Sequence, residues 1–256
     1  MKFRPCIDIH NGIVKQIVGG SLNKDQSQAR ENFVAKQSAK HYAKKYKKDG
    51  LTGGHIIMLN SLDSPAYEAT KKQAMKALKA YPGAMQIGGG INDRTAAEFL
   101  RAGATHVIVT SFVFFEGHIN YNNLQKLVDA VGADKIVLDL SCRKKGDDYY
   151  VVTDRWQNFT GEKVEPALFE KLDDYCDEFL VHGVDVEGKR SGMDEELVRI
   201  LASYNGKPIT YAGGIHKLEQ IDKLREASGG KLDYTIGTAL DIFGGNLPYD
   251  DVKNYM

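Results

Sequence analysis

The chain has 256 residues, 42% of them hydrophobic and 27% charged, enough for one large α/β domain or two small ones with an ordinary globular core. Thirty-four Lys and Arg balance thirty-four Asp and Glu, so net charge favours neither nucleic acid nor a membrane surface as partner, and anionic ligands need local sites. No apolar run approaches the roughly 20 residues that cross a bilayer, and Cys6, Cys142 and Cys176 are too far apart for a disulfide framework or a zinc site.

Residues 1–5 enter a strand with no charged-then-apolar leader, so a soluble, cytoplasmic protein is expected, with reduced structural cysteines and a monomer as the default state. Residues 3–9 read as a buried strand, and 13–18 as its continuation after the Asn11-Gly12 turn. The polar, glycine-tipped stretch 19–32 is longer than a connector needs and is either a lid or surface slack. Lysine-rich 35–49 keeps Tyr42 and Tyr46 about one turn apart and predicts a solvated helix. Regular alternation then sets in: strands at 55–59, 85–87, 106–109, 135–140, 178–181, 208–211 and 234–236, with helices at 66–81, 94–101, 122–131, 166–175, 194–204 and 218–227. Short, continuous, Ile/Val/Leu-rich strands separated by helices argue a parallel sheet covered on its outer side. Eight such strands in this length predict a single (β/α)8 barrel over residues 1–256, with a doubly wound open sheet as the runner-up. One interruption, 143–165, carries Tyr149-Tyr150-Val151-Val152-Thr153 and Trp156; it reads as an inserted hairpin at the face where barrels keep their sites.

Chemistry is sought at strand C-terminal ends. Asp8, in Cys6-Ile7-Asp8-Ile9-His10, and Asp139, in Leu138-Asp139-Leu140-Ser141, end the first and fifth strands, which lie opposite each other in an eight-stranded barrel. A carboxylate at an apolar strand end is costly unless it is paired or functional, and desolvation raises its pKa toward a value useful for proton transfer. Gly88-Gly89-Gly90-Ile91 after the third strand is echoed by Gly213-Gly214-Ile215 after the seventh. Each turn is followed in barrel order by a hydroxyl-bearing strand end, Thr110-Ser111 and Gly237-Thr238. Glycine amides plus hydroxyl and amide donors are the ingredients of a phosphate site, so two such clamps predict an elongated bisphosphate held across the mouth, and an internal half-barrel duplication.

Other chemistries are weaker. Lys135 starts its strand rather than ending it, which disfavours a Schiff-base aldolase. Asp8 and His10 share a strand face, yet no further ligands complete a metal shell. His55 and His182 are lone strand histidines, more often core residues than catalysts. The triple glycine also lacks the G-x-G-x-x-G spacing of a dinucleotide site.

Several motifs together resemble one family over nearly the whole chain: Cys-Ile-Asp-Ile-His-Asn-Gly (6–12), Val-Lys-Gln-Ile-Val-Gly-Gly (14–20), Gly-Gly-Gly-Ile-Asn-Asp (88–93), Val-Ile-Val-Thr-Ser (107–111), Asp-Leu-Ser-Cys-Arg (139–143), Asp-Val-Glu-Gly (185–188) and Leu-Asp-Ile-Phe-Gly-Gly-Asn-Leu (240–247). They are similar to the eukaryotic-type phosphoribosylformimino-aminoimidazole carboxamide ribotide isomerases of histidine biosynthesis. The resemblance implies an Amadori rearrangement of aminoaldose to aminoketose that uses neither metal nor cofactor. It further implies Asp8 as general base, Asp139 as general acid, Trp156 stacked on the imidazole carboxamide, and Arg143 on a phosphate or the carboxamide. Met58 and Glu187-Gly188 depart from the bacterial pattern, so His55 and Glu187 enter only as substrate-binding residues. The sister cyclase, which usually has a lysine at the position of Gln16, and a non-catalytic sugar-phosphate-binding barrel are the competing readings.

Overall fold

The computed structural model describes residues 1–17, 31–115, 117–153, 156–189 and 191–255. Eight parallel strands form its frame: β1 (Cys6–His10), β2 (Gly54–Met58), β3 (Met85–Gly88), β4 (Val107–Val109), β5 (Ile136–Asp139), β6 (Glu178–His182), β7 (Ile209–Ala212) and β8 (Asp233–Thr235). Each pairs in parallel with the next, and a parallel bridge between Phe3 and Tyr234 joins the last strand to the first. The Arg4 amide donates to the Tyr234 carbonyl at 2.8 Å and the Tyr234 amide to that of Lys2 at 3.0 Å. The sheet therefore closes, and the predicted (β/α)8 barrel is the fold.

Around it lie α1 (Ala39–Lys48), α2 (Tyr67–Ala80), α3 (Ala96–Arg101), α4 (Tyr121–Val131), α5 (Pro166–Leu172), α6 (Glu195–Ser203), α7 (Leu218–Ser228) and, past the last strand, the short α8 (Tyr249–Lys253). Their starts follow local chemistry. Asn120 and Asp194 each accept a hydrogen bond from the amide three residues on, satisfying a donor that the helix itself leaves free. Helices bury one stripe each, Leu197, Val198 and Leu201 in α6 for example, against strand side chains that point outward; Phe179 meets Phe169 edge-on at 5.0 Å.

The two-residue period of the strands decides what points inward. In β6 the inward set is Glu178, Leu180 and His182. Leu180 joins Ile108, Val137 and Ala212 in a small apolar cluster inside the barrel, with Ile57 against it. On the strands' N-terminal side, Glu178 accepts hydrogen bonds from Gln86 (3.0 Å) and Thr210 (2.8 Å) and pairs with Arg4 at 3.2 Å. Past the apolar layer, at the other end, come Asp8, Asp139 and His182. A satisfied polar floor and an apolar plug thus leave one end of the barrel for chemistry.

Two additions shape that end. After β1 the chain turns through Asn11-Gly12 into an antiparallel strand, Ile13–Ile17, which pairs with Glu31–Val34. Residues 19–30 of the expected lid, and residue 18 of the strand before it, lie outside the described residues, and 31 and 32 belong to this second strand. The stretch between β5 and α5 is a three-stranded antiparallel sheet, Cys142–Lys145, Asp148–Thr153 and Asn158–Lys163, one strand more than the expected hairpin. The helix expected from residue 35 begins at Ala39, because the chain up to Val34 is committed to its strand.

Candidate active site

Cys6, Asp8, Gln16, His55, His182 and Glu187 line a cavity at the strands' C-terminal ends together with Gly213-Gly214 and the run Thr235 to Ala239. Asp8 and Glu187 are its two carboxyls. Burial raises the Asp8 carboxyl first and the negative charge of Glu187 raises it further, to about 7, against smaller opposing effects from His182 and a hydrogen bond from Gln16. A carboxyl held there can accept a proton near neutrality. Gln16 supplies both ends of its amide: Nε2 donates to Asp8 Oδ2 at 3.0 Å, and Oε1 accepts from the Thr238 hydroxyl at 3.2 Å. The antiparallel strand after β1 therefore ties Asp8 to the Gly237-Thr238 turn after β8. A Cβ on Gly237 would sit 2.3 Å from Gln16 Oε1, so glycine leaves the room that this link occupies.

Asp139 is 8% exposed and absent from the cavity wall. Ser141 Oγ donates to its Oδ1 at 2.9 Å, and His182 Nδ1 lies 3.2 Å from the same oxygen. Burial alone would lower the His182 pKa, but the adjacent Asp139 outweighs it, with help from Glu187 and Asp8, and brings it to about 9. His55, 6.3 Å away ring to ring, goes the other way: burial and the charge of His182 lower it to about 3, so it is a neutral imidazole. Two histidines thus stand side by side in opposite protonation states.

Of the residues expected from the sequence, the structure gathers Asp8, His55, Glu187, Gly213, Gly214, Gly237 and Thr238 around one cavity and connects Asp139 to it through His182. Gly89 and Gly90 follow β3 and Thr110-Ser111 follow β4, on neighbouring strands paired through Gly88 and Ile108, but outside that cavity wall. Gly89, at φ 97°, has a packing reason of its own, since a Cβ there would lie 1.9 Å from the Met58 carbonyl oxygen. Arg143 is engaged: its Nε donates to Asp185 at 2.9 Å and its guanidinium lies 5.7 Å from the Phe159 ring centre. Trp156, with a positive φ of 68°, sits in the turn between the last two strands of the inserted sheet. That sheet is docked between the loops after β4 and β6, through Gly161 to Gly117 and Val184 to Cys142 backbone bonds. The sequence reading does not count His182 or Gln16 among the site residues, although His182 ends its strand facing inward as Asp139 does.

Comparison with known proteins places this geometry. A model of the family described as "Histidine biosynthesis protein" matches residues 2–247. The chain belongs to that family. Within it, the chain is 50% identical over 256 residues to a Medicago truncatula protein, covering 98% of this chain and 80% of the relative. It is 44% identical to one from Neurospora crassa (95% and 93% covered) and 43% identical to one from Saccharomyces cerevisiae (96% and 94%). All three relatives are named as the 1-(5-phosphoribosyl)-5-((5-phosphoribosylamino)methylideneamino)imidazole-4-carboxamide isomerase, the plant one as chloroplastic. Among the described residues of this family member, no helix is long and apolar enough to cross a membrane.

Proposed function

We propose that the chain is the aldose-ketose isomerase of histidine biosynthesis and rearranges the bisphosphorylated substrate named for its relatives. The observation that carries this is the cavity in which Asp8, raised to about 7, stands next to the His182–Asp139 pair and beside the Gly213-Gly214 and Gly237-Thr238 loops. An Amadori rearrangement needs an acid to open the ribose ring to a protonated imine and a base to take the C2 proton, after which the enolamine tautomerises to the ketone. Each placed proton transfer contributes roughly 10² to 10⁴-fold in rate. Asp8 is the base and Asp139 belongs to the acid side.

One phosphate goes to Gly213, Gly214, Gly237 and Thr238, the other to Gly89, Gly90, Thr110 and Ser111. His55 and Glu187 contact the substrate between the clamps, Trp156 stacks on the imidazole carboxamide, and Arg143 exchanges Asp185 for substrate. No cofactor enters this scheme. The protein acts as a cytoplasmic monomer, a reading that fractionation of cells and sedimentation test directly.

The decisive assay offers purified protein the isomerase substrate without ammonia. Conversion to the ketose is expected, and it should be lost in Asp8→Asn and, at pH 8, in Asp139→Asn, with phosphate-analogue binding kept. Inertness until ammonia and the ketose are supplied would instead mark a cyclase.

A further inference from the structure

Gly213 and Gly214 line the cavity, and neither amide donates a hydrogen bond among the described residues. The turn therefore offers two free donors to an anion. Such donors bind well only where the backbone holds them in place beforehand. On the outer side of the turn is Tyr211 of β7, fully buried, whose hydroxyl would lie 3.3 Å from a Cβ on Gly213 and 3.4 Å from one on Gly183. The Gly192 amide donates to the Gly214 carbonyl at 3.2 Å, and two residues on the Asp194 amide donates to the Tyr211 hydroxyl at 2.9 Å. The segment from Gly192 to Asp194 thus braces the turn at two points.

Asp194 also reaches the other way. Its Oδ1 accepts from the Leu197 amide at 3.1 Å, which caps α6. Its two oxygens lie 2.7 and 2.8 Å from the hydroxyl of Tyr149, which donates to them. Tyr149 is buried on the middle strand of the inserted sheet, between Arg143 on the first strand and Trp156 in the last turn. Burial first, and then the bond to Asp194, push the Tyr149 hydroxyl up, so it stays a donor near neutral pH. Arg143 Nε and the Lys144 amide tie the same sheet to Asp185 in the loop after β6. At Asp194 the tie continues, through Tyr211, to the turn after β7.

Resting on the isomerase reading, we propose that Asp194 is a positioning residue: held by Tyr149 on one side and bonded to Tyr211 on the other, it fixes the Gly213-Gly214 turn to the inserted sheet and so sets the phosphate affinity of that turn.

None of Tyr149, Asp194 and Tyr211 lines the cavity, so their effect passes through the turn. A substrate gripped at a phosphate by the turn and at its carboxamide by the sheet needs the two at a fixed separation.

The test titrates inorganic phosphate into protein labelled with ¹⁵N-glycine, following the amide signals of Gly213 and Gly214, with Gly89 and Gly90 as the internal reference. Tyr149→Phe keeps the ring and removes the hydroxyl. Its phosphate Kd at Gly213 and Gly214 should rise by about five- to tenfold and stay unchanged at Gly89 and Gly90. Asp194→Ser still caps the helix but is too short to meet Tyr149; it should reproduce that rise, and the double variant should bind no more weakly than either single one. Asp194→Asn, which keeps an acceptor for Leu197 and Tyr149, should stay within about twofold of wild type. With the isomerase substrate the same factor should appear in KM, not in kcat. A dispersed glycine spectrum verifies the fold of each variant. A Kd at Gly213 and Gly214 that neither Tyr149→Phe nor Asp194→Ser raises overturns the proposal, as does an equal loss at both glycine turns, which would be a general loosening. Wild type in which phosphate shifts neither Gly213 nor Gly214 removes that phosphate site and the proposal with it. Wild type that binds phosphate there yet leaves the isomerase substrate untouched removes the isomerase reading alone, and the titration still decides the coupling.

Discussion

Asp8, the carboxyl proposed as base, is tuned by three side chains that the sequence scatters over nearly two hundred residues, Glu187, His182 and Gln16. Asp8 is pushed up by burial and by Glu187 and restrained by the amide of Gln16. Because the raised carboxyl is an effective base only above its pKa, kcat/KM should rise with pH through about 7. Glu187→Gln removes the like charge, so that acid limb should shift to lower pH by up to about one unit. An unchanged limb in a pH-rate series would show that Glu187 does not sense Asp8. Gln16→Leu deletes the donor to the ionised form and should move the limb the opposite way, with kcat lower by about tenfold. Gln16 is also where the sister cyclase usually carries lysine. A cation there would depress Asp8, and the neutral amide keeps it basic while passing a hydrogen bond to Thr238. Asp8 and Asp139 were legible in the sequence because a carboxylate at the end of an apolar strand is conspicuous. His182 was not, since an isolated strand histidine reads as core, and only the register of β5 against β6 puts it before Asp139. Gln16 carries no charge, and its role exists only because a turn folds its strand back beside β1.

At the scale of elements, seven of the eight barrel strands fall within one residue of their sequence assignments, because each is a short apolar run that ends at a turn residue, while β1, expected from Phe3, begins at Cys6. The misses are polar pieces. Glu31–Val34 is mostly exposed and Cys142–Lys145 half exposed, and both are strands only because a partner strand supplies their hydrogen bonds. Hydrophobic period alone cannot reveal such pairings. The glycine turns were legible as pattern but only partly as cause. Gly89 and Gly214 share a positive φ and a carbonyl 1.9 Å from where a Cβ would stand, Met58 and Gly192 respectively. They are needed for backbone packing whatever they bind. Gly89→Ala should therefore destabilise the fold, by on the order of 2 kcal/mol from backbone strain alone, and lower Tm by several degrees. Calorimetry showing a wild-type Tm, with only KM raised, would mean that the loop yields and that Gly89 matters for ligand alone. Thr238→Val carries no such strain and should act mainly on KM.

For the whole molecule, the site is a load on the fold, and its sign follows from proton binding. Asp8 has its pKa raised from 3.8 to about 7 and His182 from 6.5 to about 9, so across both windows the folded chain holds more protons than the unfolded one. Stability must then fall as pH rises. The Asp8 contribution is lost between about 4 and 7. The His182 contribution is complete below about 6.5 and gone above about 9. The polar layer at the barrel's other end, Arg4 with Glu178, Gln86 and Thr210, is internally satisfied and anchors the strands while the active end titrates. Wild type should accordingly lose on the order of 1 to 3 kcal/mol between pH 6.5 and 9 that His182→Gln does not lose. The readout is the difference between the two proteins in urea midpoint at matched pH, since other titrations are common to both. Parallel wild-type and His182→Gln curves over that interval would mean that the imidazole gains no proton affinity from folding beside Asp139, and its charge would then contribute nothing to the stability of the barrel.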